Sequence, residues 1–350
     1  MNLKSNFTPP EHNRYYPLFQ PVRDTRIDTI KGLLIILVVF GHLLEQFLNN
    51  RVNIIAYNLI YSFHMPLFII ISGYFFNPGQ KIEKLKYSTI KLAESFFWFF
   101  ILYQCLRWFE YGHLSVNDLI SPPYIMWYLW TLIFWRITGR LIYNKRECRK
   151  TSIILAFGLA LLIGLLPLKN EFSIQRFFAF AFFFVIGIYM RNNQIKLNKY
   201  LLIASIPILF VGCYVLLKQT GRSFDDLRWI LYYNRPYQTI YDVMLRFITL
   251  ILGLSISLLM WNSIKGHRIM SKIGSATLSI YLLHLLPVKF YAYLAEIHNL
   301  PHDIISSLFI TLGIVYSIYI ISRNKHIECI LNPLSHSLKL IKRSHVRIES

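Results

Sequence analysis

The chain is short of charge: only 15% of its 350 residues are Asp, Glu, Lys or Arg, against about 25% in ordinary soluble domains. A pair of soluble domains, which this length would otherwise suggest, is thereby excluded. Cysteine is scarce too. Cys105, Cys148, Cys213 and Cys329 are scattered without a CxxC spacing, so neither a zinc site nor a disulfide framework is expected. Residues Met1 to Thr29 are polar, with Pro9, Pro10, Pro17 and Pro21. They lack the apolar core of a cleavable signal peptide and read as a cytoplasmic tail. Tandem repeats, low-complexity tracts and an extramembrane catalytic module are also missing.

What the chain does have is apolar blocks. Hydrophobic residues make up 55% of it, in runs long enough to cross a bilayer, which takes about 20 residues per helix. The expected fold is all-α: a polytopic integral membrane helical bundle of about ten transmembrane helices. The spans run over residues 30–48, 57–76, 88–108, 124–143, 151–167, 174–190, 199–217, 239–261, 276–296 and 304–322. The fifth is the shortest and the one expected to be re-entrant or tilted. A cytoplasmic tail (1–29) precedes the transmembrane unit (30–322), and a basic cytoplasmic tail (323–350) follows it.

The net charge of +20 first suggests nucleic acid, but its distribution does not. Basic residues lie between the apolar blocks, in the N-terminal tail through Lys31, in 81–91, 136–150, 191–199 and 265–272, and in the C-terminal tail. Those segments hold 27 of the 37 Lys and Arg residues. Ten crossings put them all on one face, as the positive-inside rule asks of cytoplasmic loops. A cell-membrane location with both termini in the cytoplasm is expected, with membrane lipid as a partner and no nucleic acid.

Ionisable side chains inside such spans are costly, about 2.5–3.5 kcal/mol at the bilayer centre on insertion scales, and are functional candidates by default. His42 lies eleven residues beyond Lys31, about 16 Å along a helix. Glu45 is three residues further and shares its face. His64, in the next, antiparallel span, falls at nearly the same depth. A single membrane histidine is often only an interhelical hydrogen-bonding group. Two at matching depth, one beside a carboxylate, favour a functional site. His284, near mid-membrane in the ninth span, reads rather as structural. Trp127 and Trp130 fit an interfacial aromatic belt or a platform under a sugar ring. Asp242 and Arg246, spaced i,i+4, fit a structural ion pair or a substrate clamp, and Arg176 opens the sixth span from that same side.

The stretch from Arg26 through Lys31 to His42, followed by Phe63-His-Met-Pro-Leu-Phe-Ile-Ile-Ile-Ser-Gly73, strongly resembles the acyltransferase-3 family of membrane O-acyltransferases, in particular its fucose 4-O-acetylase-like branch. Met126-Trp-Tyr-Leu-Trp130, Arg176 with Phe182-Phe-Phe-Val-Ile-Gly187, and Ile273 to His284 add to the likeness in the same order. The family hallmark, a basic residue and then a histidine after ten intervening residues, falls here on Lys31 and His42. Most members carry arginine at the first position. Lysine attracts phosphate as a point charge but lacks the bidentate fork. Where the family tends to an arginine-rich entry and a proline in the third helix, this chain has Lys86, Lys91 and Ala93-Glu-Ser95.

The resemblance implies an acyl-CoA donor, usually acetyl-CoA though succinyl transfer occurs among relatives, and a surface polysaccharide or lipid-linked sugar as acceptor. No permanently bound cofactor and no metal are expected. Arg26, Lys31, Lys86 and Lys91 would meet the polyanionic CoA at the inner mouth. His42 would take the proton of a sugar hydroxyl as that oxygen attacks the thioester, with Glu45 orienting it and His64 assisting or stabilising the oxyanion. An acyl-histidine intermediate is the alternative route. Trp127, Trp130, Arg176, Asp242 and Arg246 would line the acceptor entry. Without the extracellular hydrolase-like domain of some relatives, direct acylation is expected. The rival class is a transporter or flippase for a lipid-linked glycan, since buried His and Glu also suit proton coupling.

Overall fold

Helix α1 (Thr25–Glu45) starts earlier than its apolar run because Asp24 caps it. The Asp24 carboxylate accepts from the backbone N–H groups of Arg26 at 2.9 Å and Ile27 at 3.3 Å, two donors that a helix start otherwise leaves unpaired. The computed structural model describes residues 24–143, 149–168, 171–193, 198–223, 227 and 236–324. All regular structure among them is helical. Most of the expected N-terminal tail and nearly all of the C-terminal one lie outside these residues.

Following α1 come α2 (Arg51–Phe75), α3 (Ile82–Tyr111), the short α4 (Val116–Ile120), α5 (Trp127–Tyr143), α6 (Arg149–Leu162) and α7 (Ile174–Asn192). Then come α8 (Lys199–Gln219), α9 (Ile240–Ser263), α10 (Arg268–Ser275), α11 (Thr277–Leu283), α12 (Leu285–His298) and α13 (Ile304–Ser322). Each of the ten expected spans falls on helix. Six of the helices (α1, α2, α7, α8, α9 and α13) are long and apolar enough to cross a membrane, and a seventh crossing results if the bent pair α11–α12 forms one. The fifth stretch is a short apolar helix, Lys150–Leu165, that runs into a 3-10 turn at Ile163–Leu165.

Helix α1 is the hub. It packs against α2, α10, α11, α12 and α13, while α2 packs against α7 and α9. Two glycine crossings let backbones touch. At Gly32 and Gly274 the backbones of α1 and α10 meet, and at Gly73 and Gly187 those of α2 and α7. A Cβ at any of the four would collide with backbone atoms of the other helix, the close approach that small residues permit between membrane helices. These crossings fix how far each helix can rotate, and with that which side chains face the centre.

Two prolines shape the interior. Pro66 lies inside α2 and leaves the Ser62 carbonyl without its helical N–H. That carbonyl is where Gly253 of α9 comes closest. Pro287 follows the junction of α11 and α12, where the chain bends by 41° at His284. The missing N–H at Pro287 removes the rung to Leu283 and accounts for the bend.

Candidate active site

The polar centre sits where the C-terminal end of α1 crosses α2. Nδ1 of His42 lies 3.1 Å from Oε2 of Glu45, one turn along the same helix. The Tyr61 hydroxyl of α2 completes a triangle, 3.1 Å from the same carboxylate oxygen and 3.0 Å from Nδ1. The carboxylate can only accept, so Nδ1 of the neutral ring carries the hydrogen and Nε2 is left as the acceptor. A carboxylate behind an imidazole in this way fixes its tautomer and stabilises the cation formed when the ring takes a proton. The His42 and Glu45 side chains remain 19% and 31% exposed, so the triangle is reachable.

His64 is buried rather than turned into lipid. Its Nδ1 donates to the Ile60 carbonyl of its own helix at 2.8 Å, and its ring lies edge-on to Tyr61 with centroids 4.6 Å apart. Tyr61 thus stands between the two histidines expected to meet, touching both. Sequence reading missed it, although Tyr61 lies one turn before His64 and shares its face. The third histidine at the centre is His284, from the bend between α11 and α12, with its centroid 5.4 Å from that of His42.

Towards the other end of α1 lies a cavity of about 370 Å³. Lys31 and Arg136 contribute its cations, Ser72 and Tyr128 share a hydrogen bond of 2.6 Å in its wall, and Val38 and Met65 lie at its inner reach. Val38 is one turn below His42, and Met65 is next to His64, so the cavity rises towards the triangle. Lys31 also pairs with Asp28 at 2.6 Å. Arg136 of α5 donates to the Ser88 carbonyl at 3.2 Å. It was counted only as a loop charge in the sequence, yet it joins Lys31 at the cavity, where the expected Lys86, Lys91 and Arg26 do not. Lys86 is exposed, Lys91 half-buried, and Arg26 lies over the Trp261 ring at 5.2 Å.

The residues expected at the acceptor entry divide. Arg176 lies over Trp127 at 5.1 Å, and Trp127 stacks on Phe180. Trp130 donates its Nε1–H to the Phe172 carbonyl at 2.9 Å. Asp242 forms its ion pair with Arg222, just past the end of α8, rather than with Arg246. Its carboxylate also accepts from the backbone N–H groups of Gln238 and Thr239, closing the start of α9. Arg246 is buried and lies over the Tyr237 ring at 4.7 Å. An i,i+4 spacing permits a pair but does not compel it when a better-placed guanidinium arrives from elsewhere.

The sequence profile of the acyltransferase-3 family, described as an acyltransferase domain, matches residues 24–323. Nodulation protein NolL of Mesorhizobium japonicum is 24% identical over 213 residues, covering 55% of this chain and 56% of that protein. Nodulation protein NolL of Sinorhizobium fredii is 48% identical over 56 residues, 15% of each chain. The chain thus spans about half the length, or less, of these curated relatives. No solved structure matches. Since the matched region takes in nearly the whole helical unit, the chain belongs to the acyltransferase-3 family.

Proposed function

We propose, from that membership, that the protein is a cell-membrane O-acyltransferase with both ends in the cytoplasm. It moves an acyl group, acetyl in the first instance, from acyl-CoA to a sugar hydroxyl of a surface glycan or its lipid-linked precursor. The observation that carries this reading is the triangle of His42, Glu45 and Tyr61 placed above a cavity with cations at its wall. In this reading Lys31 and Arg136 attract the CoA phosphates, and the largely apolar cavity takes the pantetheine arm and its thioester.

The chemistry needs one base. Nε2 of His42 accepts the proton of the sugar hydroxyl as its oxygen bonds to the thioester carbonyl carbon. The carbon–sulfur bond then breaks, and the proton passes from His42 to the leaving thiolate. Glu45 holds the imidazolium that exists in between. His64, whose Nδ1–H is committed to Ile60, offers its other nitrogen near the same centre. Arg176 and Trp127 provide a stacked cationic and aromatic wall suited to a sugar face.

The test is turnover by purified protein in detergent, supplied with radiolabelled acetyl-CoA and a glycan acceptor. An enzyme transfers label without a gradient or a sealed vesicle, as a flippase would not. His42→Ala should insert normally and lose at least about 100-fold in rate, the usual worth of a general base. Wild-type transfer by that variant would remove His42 from the mechanism.

A further inference from the structure

Of the three histidines at the centre, His284 is the one that this mechanism leaves without work. Its Nδ1 lies 3.0 Å from the Ile280 carbonyl and 2.9 Å from the Tyr281 carbonyl. Carbonyl oxygens only accept, so Nδ1 carries the hydrogen and Nε2 of the neutral ring bears a bare lone pair. That Nε2 is sealed from solvent and has no hydrogen-bond partner among the described residues. The residue as a whole is 0% exposed. A buried acceptor without a donor costs free energy, and proteins keep few of them. The helix bend places it there, because the turn before Pro287 presents two carbonyls to the same ring nitrogen.

No substrate reaches an atom so enclosed, but His42 lies against it, its ring centroid 5.4 Å away and tilted by 35°. The other groups around the pair are engaged. Glu45 and Tyr61 bond to His42 at Nδ1, and the Tyr281 hydroxyl donates to the Ile125 carbonyl. Lys289 of α12 pairs with Glu110 at 2.6 Å. Helix α13, which also packs on α1, brings no acidic or basic residue between Ile304 and Ser322. We propose that His284 is a positioning residue acting through His42: its bare Nε2 accepts a hydrogen bond from the His42 ring once that ring holds the transferred proton. Glu45 then steadies the imidazolium on one side and His284 on the other. This rests on the acyl-transfer reading above.

Two substitutions separate that role from packing. The amide nitrogen of asparagine falls where Nδ1 lies and keeps a donor for the two carbonyls, while removing Nε2. The side-chain oxygen of glutamine reaches the place of Nε2. In the detergent assay with acetyl-CoA, His284→Asn should keep the wild-type melting temperature and KM for acetyl-CoA while kcat falls about tenfold. His284→Gln should recover most of that loss. An asparagine variant with wild-type kcat, or equal losses in both variants, overturns the proposal. Should neither variant fold, nitrogen NMR of histidine-labelled wild-type protein and His42→Ala decides. The proposal requires an unprotonated Nε2 on His284 whose signal moves when His42 is removed, and an Nε2-protonated or unmoved signal overturns it. Absence of any wild-type turnover would instead remove the acyl-transfer reading, and the spectra alone would then show whether the two rings are coupled.

Discussion

Helices α1 and α2 on one side, α8 and α13 on the other, have nearly the same mean hydropathy: 2.0 and 1.8 against 2.4 and 2.2. Their surroundings are opposite. The apolar stretches of α1 and α2 are 78% and 72% buried in protein, those of α8 and α13 only 17% and 22%. Apolarity therefore says that a helix avoids water, and nothing about whether it meets protein or lipid. The difference lies in the rare residues. The buried pair carries Asp28, His42, Glu45, Asn53, Asn58, Tyr61 and His64, together with Gly32 and Gly73. The peripheral pair carries no Asp, Glu, His or Asn within Lys199–Gln219 and Ile304–Ser322. Polar atoms need partners when water is withheld, so helices bearing them are drawn to the centre. Glycines let those helices approach closely enough to make the pairing possible.

The comparison breaks most visibly at a glycine crossing. Gly274→Val should prevent α1 and α10 from docking, because the new Cβ meets the backbone of Asp28 and Gly32. Overpacking a core costs about 1–3 kcal/mol even where side chains can give way, and here backbone would have to move. The expected result is little folded protein by detergent size-exclusion chromatography. A variant with wild-type yield and melting temperature would show that the hub is not built on this contact.

At the polar triangle smaller effects are expected. Tyr61→Phe removes a hydrogen bond to the Glu45 carboxylate but leaves the His42–Glu45 pair intact. A hydrogen bond to a charged group is worth roughly 1.5–3 kcal/mol, so kcat should fall at least about tenfold, as read by label transfer beside a thermal melt of the same variant. An unchanged kcat would reduce Tyr61 to packing. Arg136→Gln addresses the other end of α1. If the guanidinium meets CoA phosphate, KM for acetyl-CoA should rise severalfold with kcat preserved, the signature of lost uniform binding. The rise should shrink at high salt, where wild-type affinity also weakens. A kcat effect without a KM effect would place Arg136 in the scaffold through its bond to Ser88.

How much of this was legible beforehand follows the same division. Apolar runs located helix in each of the ten expected stretches, but not the short helices Val116–Ile120 and Arg268–Ser275. The His42–Glu45 pair was readable because both lie on one helix, where spacing dictates proximity. What depended on distant parts of the chain was not. Asp242 faces Arg222, twenty residues earlier, because Arg222, just past the end of α8, lies against the start of α9. Arg136 reaches the cavity of Lys31 through the packing of α5, which no periodicity encodes. His284, read as structural, sits beside His42 because Pro287 bends the chain at that point. The short helix Arg268–Ser275 was counted as a basic loop. Its charges suggested cytoplasm, while Gly274 gave no sign of the α1 backbone waiting for it.

The smallest effect is expected on the lipid side and is the cleanest check of the contrast. Gly313 of α13 has open space where a Cβ would stand, unlike Gly32, Gly73, Gly187 and Gly274. If that helix faces lipid, Gly313→Ala adds a methyl group with nothing to strike and removes the backbone freedom that makes glycine a poor helix residue. Alanine is favoured over glycine inside a helix by roughly 1 kcal/mol in water, and within a bilayer the gain should be no larger. The variant should melt at or slightly above the wild-type temperature, with turnover unchanged. A marked loss of stability would mean that α13 presses against protein at Gly313, from a second copy of the chain or another subunit. The line between a buried, polar-bearing core and a lipid-facing rim would then have to be redrawn around that contact.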